Sequence, residues 1–450
     1  MTEKSKLGLF SFSMIVIGLV IGMGIFRTAT DSAKAALNPT VYFSAWIIGG
    51  LVALCGALTY AEIGSRFPVT GGYYRIFSYA YHPSLAFSIN CIILISNAAS
   101  LSGVALIGAG YISNVFFGGG VSDLVKASIA MAAIIIFYGV NLMGLKMSSK
   151  AQNVLMIIKI GMLLVLVASL FFPSIYADNS AVTSVTSDYS LKQYILSFGV
   201  ALVAVSFTYG GYQQTINFGN EVKHPSRNIP KGIFIGIAVI ILLYLIVNFA
   251  YYKVVGFELM QNRGQGQEIA AILTGKLFGQ TGANIFSALL FLSVLAYVNV
   301  LLMSNPRVMF AMSEDGVLPK IFQRKSKEKE VLVVALSVFA TICMVILFFS
   351  KKFEEILKFT IFLDCIGMAT SAATIFVLRK KTKHLDNTGI YKMKLYPLLP
   401  VVFIAAYTFV AISIAIDDYK TALTGIAVLG AFMVIYFVTK NLFTKTSIEK

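Results

Sequence analysis

The sequence predicts an all-α polytopic membrane protein with twelve transmembrane helices, and three observations carry that reading. Of 450 residues, 58% are hydrophobic and only 12% are charged, against roughly 25% charged in an ordinary soluble domain. Apolar runs of about 20 residues, the length a helix needs to cross a bilayer, recur along the chain. The connections between them are too short to form a soluble domain. A soluble fold could not hide this much apolar surface, because a single core stops growing at about 250–300 residues.

The twelve spans are expected at about 9–35, 40–64, 84–113, 124–144, 151–172, 192–219, 231–254, 280–309, 331–350, 354–378, 396–416 and 421–442. Most are uniformly apolar, as lipid demands of a helix whose backbone must satisfy itself. The first run begins near Leu9, is too long for a signal peptide and lacks a small-residue cleavage pattern, so it is expected to stay as an anchor. Ser174–Lys192 is the longest expected external loop; Gly256–Lys276 is a second one, with room for a short helix.

The net charge is +16. In a soluble protein that would suggest nucleic acid; here the basic residues mark cytoplasmic loops. With the N-terminus inside, 24 of the 36 Lys and Arg residues fall in internal segments and 10 in external ones, while Arg27 and Lys159 lie within spans. The bias places both termini in the cytoplasm, with the chain threaded through the cell membrane.

Enzymatic chemistry is not expected. No Gly-rich phosphate loop with its lysine is present, and His82, His224 and His384 all fall in expected cytoplasmic loops. Cys55, Cys91, Cys343 and Cys365 lie in apolar runs and read as small buried hydrophobes, not as a disulfide or metal set. The expectation is no cofactor, no metal, no nucleic acid and no obligatory protein partner. No cysteine stands in an expected external loop to tether one.

Two spans are interrupted. The first contains Gly18-Leu-Val-Ile-Gly22-Met-Gly24-Ile-Phe26 and the sixth Ser206-Phe-Thr-Tyr209-Gly210-Gly211-Tyr212. Glycine inside a helix costs about 1 kcal/mol against alanine, so such clusters mark either close packing, as in the small-xxx-small pair Gly18 and Gly22, or a break. If spans one to five and six to ten are two repeats, the clusters occupy equivalent positions, which is where a transporter's binding site is expected. The N-terminus of a half-helix attracts a carboxylate and its C-terminus an ammonium. An amino acid zwitterion offers both.

At these residues the chain resembles the amino acid–polyamine–organocation superfamily, and within it the L-type amino acid transporter-like branch. Gly22-Met-Gly24-Ile-Phe26 is similar to the first-helix signature Gly-Ser-Gly-Ile-Phe, and Phe207-Thr-Tyr-Gly-Gly-Tyr212 to the sixth-helix signature Phe-Ala-Tyr-Gly-Gly-Trp. Tyr60-Ala-Glu62-Ile-Gly-Ser-Arg66-Phe-Pro68 with Gly71-Gly72-Tyr73 resembles the loop after span two, and Asn220-Glu221 through Pro230-Lys231 the loop after span six. Asn305-Pro-Arg307 through Pro319 resembles the end of span eight, and Tyr396-Pro-Leu-Leu-Pro400 the start of span eleven. The matches are collinear from the first span to the eleventh.

The resemblance implies a five-plus-five inverted-repeat core (repeat one about 9–172, repeat two about 192–378) with two extra helices at about 396–442. It implies an alternating-access amino acid transporter, either a sodium-independent exchanger or a proton-coupled carrier. The backbone around Ile21, Gly22, Met23 and Gly24 is then expected to meet the substrate carboxylate. Carbonyls near Phe207, Thr208, Tyr209 and Gly210 are expected to meet the amino group, with Phe207 and Tyr209 lining or gating the pocket. Met23 stands where the family has serine, and Tyr212 where it has tryptophan. A polyamine or other cation is the alternative cargo, and a non-transporting amino acid receptor of the same fold the alternative role.

Charged residues within spans sharpen the reading. A lysine at the bilayer centre costs roughly 2.5–3.5 kcal/mol, so Lys159 either snorkels to the surface or serves the site. In similar sodium-independent proteins a fifth-helix lysine approaches the first unwound segment, which implies that Lys159 takes the place of a coupling cation. Asp364 reads either as a polar contact between helices or as a gate or proton site. Glu62, Arg66, Glu221 and Arg307, at expected cytoplasmic helix ends, form either one gate network or separate helix-end contacts. Arg27 follows the first break and either faces the external vestibule or caps local structure. Polar residues of span three (Asn90, Ser96, Asn97, Ser100, Ser102) and span eight (Asn299, Ser304, Asn305) either line the pathway or join helices.

Overall fold

The computed structural model describes residues 6–22, 24–118, 121–171, 189–262, 269–326, 328–348, 353–383 and 389–445. Among these the fold is all-α, with two isolated backbone bridges, Leu7 to Val222 and Thr70 to Phe218. In chain order the helices are α1 (Leu9–Val20), α2 (Gly24–Ala35), α3 (Pro39–Arg66), α4 (Gly72–Ala80), α5 (Pro83–Phe117), α6 (Asp123–Leu142), α7 (Leu145–Ala168) and α8 (Leu191–Tyr209). They continue as α9 (Pro225–Val255), α10 (Phe257–Gln261), α11 (Ile269–Glu314), α12 (Val333–Leu347), α13 (Phe353–Lys381), α14 (Leu398–Asp417) and α15 (Tyr419–Lys445).

Ten of these helices are long and apolar enough to cross a membrane: α3, α5 to α9, α11, and α13 to α15. The remaining two expected spans are shorter. The 9–35 run is two helices of 12 residues each, α1 and α2, on either side of a break, and the 331–350 run forms the 15-residue α12. Local signals start several helices. The Asn38 side chain accepts from the Val41 N–H ahead of Pro39, and Ser190 with Gln193 forms a capping box at α8. The short helix expected in 256–276 is α10. The 9-residue α4 was not anticipated, because the sequence around Tyr73 reads as a loop motif rather than an apolar run.

The long α11 lies against α5, α6, α7 and α12, while α1 packs on α7 and α9, α2 on α8, and α3 on α8 and α9. Gly232 and Gly236 admit Phe12 and Val16 of α1 against α9, the small-residue device by which helices approach closely in lipid. Leu7 pairs with the 221–223 backbone, and Glu221 in turn holds Arg307. Tyr436 of α15 packs on His82 and Phe87, next to the segment where Lys381 donates to the Tyr79 carbonyl.

Candidate substrate site at the two helix breaks

The first break follows from a turn that abandons the helix. The Ile21 N–H still reaches the Ile17 carbonyl at 2.7 Å, but the Gly22 N–H folds back to the Val20 carbonyl at 2.8 Å. Helix resumes at Gly24, so the last carbonyls of α1 and the first N–H groups of α2 are left without helical partners. Met23 and the Arg27 side chain lie outside the described residues. Two groups satisfy the freed carbonyls of α1. The Tyr244 hydroxyl donates to the Val20 oxygen at 3.4 Å, and the Lys159 Nζ donates to the Ile21 oxygen at 2.5 Å.

Lys159, on α7, is 1% exposed. It does not snorkel: its ammonium ends on the broken helix. A cation there meets the partial negative charge at a helix C-terminus, through a charge-assisted hydrogen bond that a neutral donor would not match.

The second break ends α8 at Tyr209. The Gly210 N–H returns to the Phe207 carbonyl at 3.2 Å, Gly211 takes φ +109°, and the chain continues as a 3₁₀ segment, Tyr212–Asn217. The Tyr407 hydroxyl donates to the Ser206 carbonyl at 3.5 Å. Among the described residues this leaves the Thr208 and Tyr209 carbonyls at the free end of α8. Phe207 is 49% exposed. Thr208 is buried, its hydroxyl donating to the Ala204 carbonyl at 3.1 Å. The Tyr209 ring packs on Trp46 and Tyr244, with centroids 5.9 and 5.2 Å away. That ring is therefore part of the α3–α9 wall, and only its backbone faces the break.

The two breaks touch. A Cβ on Gly211 would strike the Leu19 carbonyl, and one on Gly24 would come within 2.8 Å of the Thr208 methyl. No residue larger than glycine fits at either crossing. Gly22, Tyr297 and Ser100 stand together at the first break, and each is partly accessible. The Tyr297 ring lies 3.6 Å from where a Gly22 Cβ would be, and its hydroxyl is 2.9 Å from the Ser100 hydroxyl.

Most of the remaining polar residues join helices. Asn97 donates to Asn305 at 2.7 Å and accepts from Gln214 at 3.1 Å, tying α5 and α11 to the 3₁₀ segment. Asn299 donates to Gln152 at 2.8 Å and accepts from Asn141 at 3.0 Å. Asn90 and Ser102 bond to the carbonyls of Ala86 and Ala98 in their own helix, and Ser102 also reaches Cys343 of α12.

The four residues expected at the cytoplasmic helix ends form two clusters, not one. Glu62, fully buried, accepts from Arg66 at 2.7 Å, from Arg379 at 2.7 and 2.8 Å, and from the Met393 N–H at 2.9 Å. Arg379 also stacks on the Tyr396 ring at 3.6 Å. Arg307 separately contacts Glu221 at 2.5 and 2.7 Å and lies over Phe218 at 4.4 Å. Asp364 belongs to neither cluster.

Sequence reasoning missed Tyr297, Arg379, Gln214 and Trp46. Arg379 stood in an Arg-Lys-Lys run that reads as a solvated helix end. Trp46 gave no signal, yet its indole N–H meets Ser32 at 3.2 Å in the aromatic wall behind Tyr209.

Comparison with known proteins agrees with this architecture over almost the whole chain. Residues 7–446 match the amino acid permease family. The serine/threonine exchanger SteT of Bacillus subtilis is 27% identical over 97% of this chain and 97% of its own. The branched-chain amino acid permease BcaP of the same organism is 26% identical over 88% and 85%. The human cystine/glutamate transporter is 25% identical over 93% and 82%. A helical membrane bundle with two helix breaks in contact, matched from near its first residue to near its last, places this chain in the amino acid permease family: it is a membrane transporter and not an enzyme.

Proposed function

We propose that the protein carries zwitterionic amino acids across the cell membrane by alternating access, without sodium. The observation that carries this reading is the contact between the breaks, Gly211 on Leu19 and Gly24 on Thr208. It sets the N-terminal end of α2 close to the C-terminal end of α8. The first N–H groups of α2, from Gly24 onward, suit a carboxylate, and the Thr208 and Tyr209 carbonyls suit an ammonium. One α-amino acid spans both. Phe207, in the last turn of α8, is positioned to close over it.

Lys159 supplies the argument about coupling. Its ammonium occupies the Ile21 carbonyl, one of the oxygens that a coupling cation would need at an unwound helix. The cation is then built into the protein. Helices α1 to α7 and α8 to α13 form the two repeats, with α14 and α15 outside them. Both termini face the cytoplasm, on the side richer in Lys and Arg, and Glu221 with Arg307 closes that side. The names of the relatives, which include a serine/threonine exchanger, favour exchange of neutral amino acids.

Uptake into proteoliposomes tests this. A labelled amino acid panel is offered with internal amino acid, a proton gradient and sodium varied one at a time. Transport stimulated by internal amino acid, and indifferent to sodium, is the expected outcome; a dependence on the proton gradient would instead make the carrier a symporter. Failure of every amino acid to be carried or exchanged refutes the proposal.

A further inference from the structure

A cleft of about 450 Å³, part of it open to solvent, lies where the α6–α7 turn, α11 and the start of α12 meet the chain leaving the second break. No residue of the two breaks lines it. One wall is apolar, made by Leu302 and Met303 of α11 and Leu336 of α12, all buried. Asn141, Glu221, Arg307 and Lys329 supply polar groups around that wall.

Two oxygens there have acceptor capacity to spare. The Asn141 amide nitrogen is spent on the Phe137 carbonyl at 2.8 Å and the Asn299 side chain at 3.0 Å. Among the described residues nothing donates to its side-chain oxygen. Arg307 takes only Oε2 of Glu221, at 2.5 and 2.7 Å. That leaves Oε1, and a carboxylate can accept several donors.

The opposite charge is Lys329, whose ammonium has no ion pair among the described residues. The turn that carries it is pinned. The Val331 N–H donates to the Ser326 hydroxyl at 3.1 Å, and the Ser326 N–H donates to the Val331 carbonyl at 2.9 Å. Between them Glu330 holds φ +52°, a conformation uncommon outside glycine. The Lys329 stem lies on Gly144 of the α6–α7 turn, 3.5 Å from where a Cβ would stand.

We infer that this cleft is a second amino acid site, on the face closed by Glu221 and Arg307, and that it takes a zwitterionic α-amino acid with an apolar side chain. The ammonium goes to Glu221 and Asn141, the carboxylate to Lys329, and the side chain to the wall of α11 and α12. A simple amine would meet Lys329 unfavourably, and a simple carboxylate would meet Glu221. Glu221 stands on one side of the cleft and α11 on another, so separating them dismantles it. A ligand that spans both favours the closed form by its differential affinity for it. Amino acid at high concentration on this face then slows the opening that exchange requires; this consequence, unlike the site itself, rests on the alternating access proposed above.

The test places a cysteine at Leu145, a partly exposed lining residue, in a background with the four native cysteines replaced by alanine. Maleimide labelling of the purified protein is followed with leucine, 3-methylbutylamine or 4-methylpentanoate added. Leucine should protect the cysteine, while the amine and the acid, which each lack one charge, should not. Lys329→Ala should raise the half-protecting leucine concentration by roughly fivefold, the loss of one ion pair at a partly exposed rim, and Lys329→Arg should restore it. No protection by leucine, or equal protection by either analogue, overturns the inference. Protection unchanged in Lys329→Ala also overturns it, because leucine would then be acting from the breaks. In proteoliposomes, raised internal leucine should slow exchange of a labelled amino acid in wild type and not in Lys329→Ala, whose rate without leucine stays at the wild-type level. Slowing that is equal in both removes the regulatory role. If protection is seen but no amino acid is carried, the transport reading has failed and the cleft site stands.

Discussion

The Nζ of Lys159 donates to the carbonyl oxygen of Ile21 at 2.5 Å, tying α7 to the point where the first helix breaks. The interaction joins a buried charge to a backbone group that no helix can satisfy. Replacing Lys159 with Met keeps the length and removes the donor. An unpaired buried acceptor costs about 1–3 kcal/mol, so exchange should fall by roughly tenfold or more, with wild-type exchange unchanged when sodium is replaced by choline. The check is initial exchange rate in both salts. A Lys159→Met carrier that retains its full rate would remove the lysine from the mechanism.

Gly211 marks where backbone geometry, not side-chain chemistry, makes the site. Its φ of +109° disfavours any other residue, and a Cβ there would run into the Leu19 carbonyl. Strain of this kind costs on the order of 1–3 kcal/mol, before the displacement of α1 is counted. Gly211→Ala should therefore lower the thermal midpoint of the purified protein and depress exchange more than expression. Ala substituted at Gly139, where a Cβ meets nothing within 4 Å, serves as control.

These two residues show what the sequence made legible. Gly22, Gly24, Gly210 and Gly211 announced breaks because glycine is costly in a helix interior and these two clusters stand at matching places in spans one and six. Lys159 announced itself because a charge inside an apolar run needs a reason. Tyr297 and Trp46 could not be picked out, since an aromatic residue in an apolar helix looks alike whether it faces lipid, a neighbour or an internal space. Tyr209 shows the same limit from the other side: the motif located its backbone at the break, but only the packing on Trp46 and Tyr244 shows where its ring goes. Pairings across the chain were the least readable. Glu62 and Arg379 are separated by more than 300 residues, and no local pattern links them.

That pair carries a stability prediction. Glu62 is fully buried and Arg379 gives it two of its four hydrogen bonds. Removing one partner of a buried pair costs about 3–5 kcal/mol, because the other charge is stranded, while removing both costs much less. Arg66 remains beside Glu62, which puts Arg379→Ala at the lower end, about 3 kcal/mol. Adding Glu62→Gln to Arg379→Ala should recover part of the loss in thermal unfolding. Strictly additive effects of the two substitutions would mean that the pair is not coupled.

The Glu221–Arg307 pair should act on conformation more than on stability. Arg307 stands on α11, whereas Glu221 stands on the chain that leaves the second break, where the Leu7 N–H donates to its carbonyl at 2.7 Å. Any opening of this face that separates α1 and the 3₁₀ segment from α11 must break the pair. Both side chains retain only 11–12% exposure, so the pair is little screened, but Glu221→Gln keeps an acceptor for Arg307 and gives up only about 1 kcal/mol of the contact. Glu221→Gln should then shift the equilibrium toward the open form by roughly fivefold. The readout is maleimide labelling of a cysteine placed at Ser304, a buried position whose hydroxyl receives the Asn217 amide at 3.2 Å, in a background with Cys55, Cys91, Cys343 and Cys365 replaced by alanine. Labelling from the side bearing Arg307 should rise by that factor, and labelling from the opposite side should fall. An Arg307→Lys variant, which keeps the charge but loses the two-pronged contact, should lie between the two. Unchanged labelling in Glu221→Gln would reduce the pair to a helix-end contact with no part in closing this face.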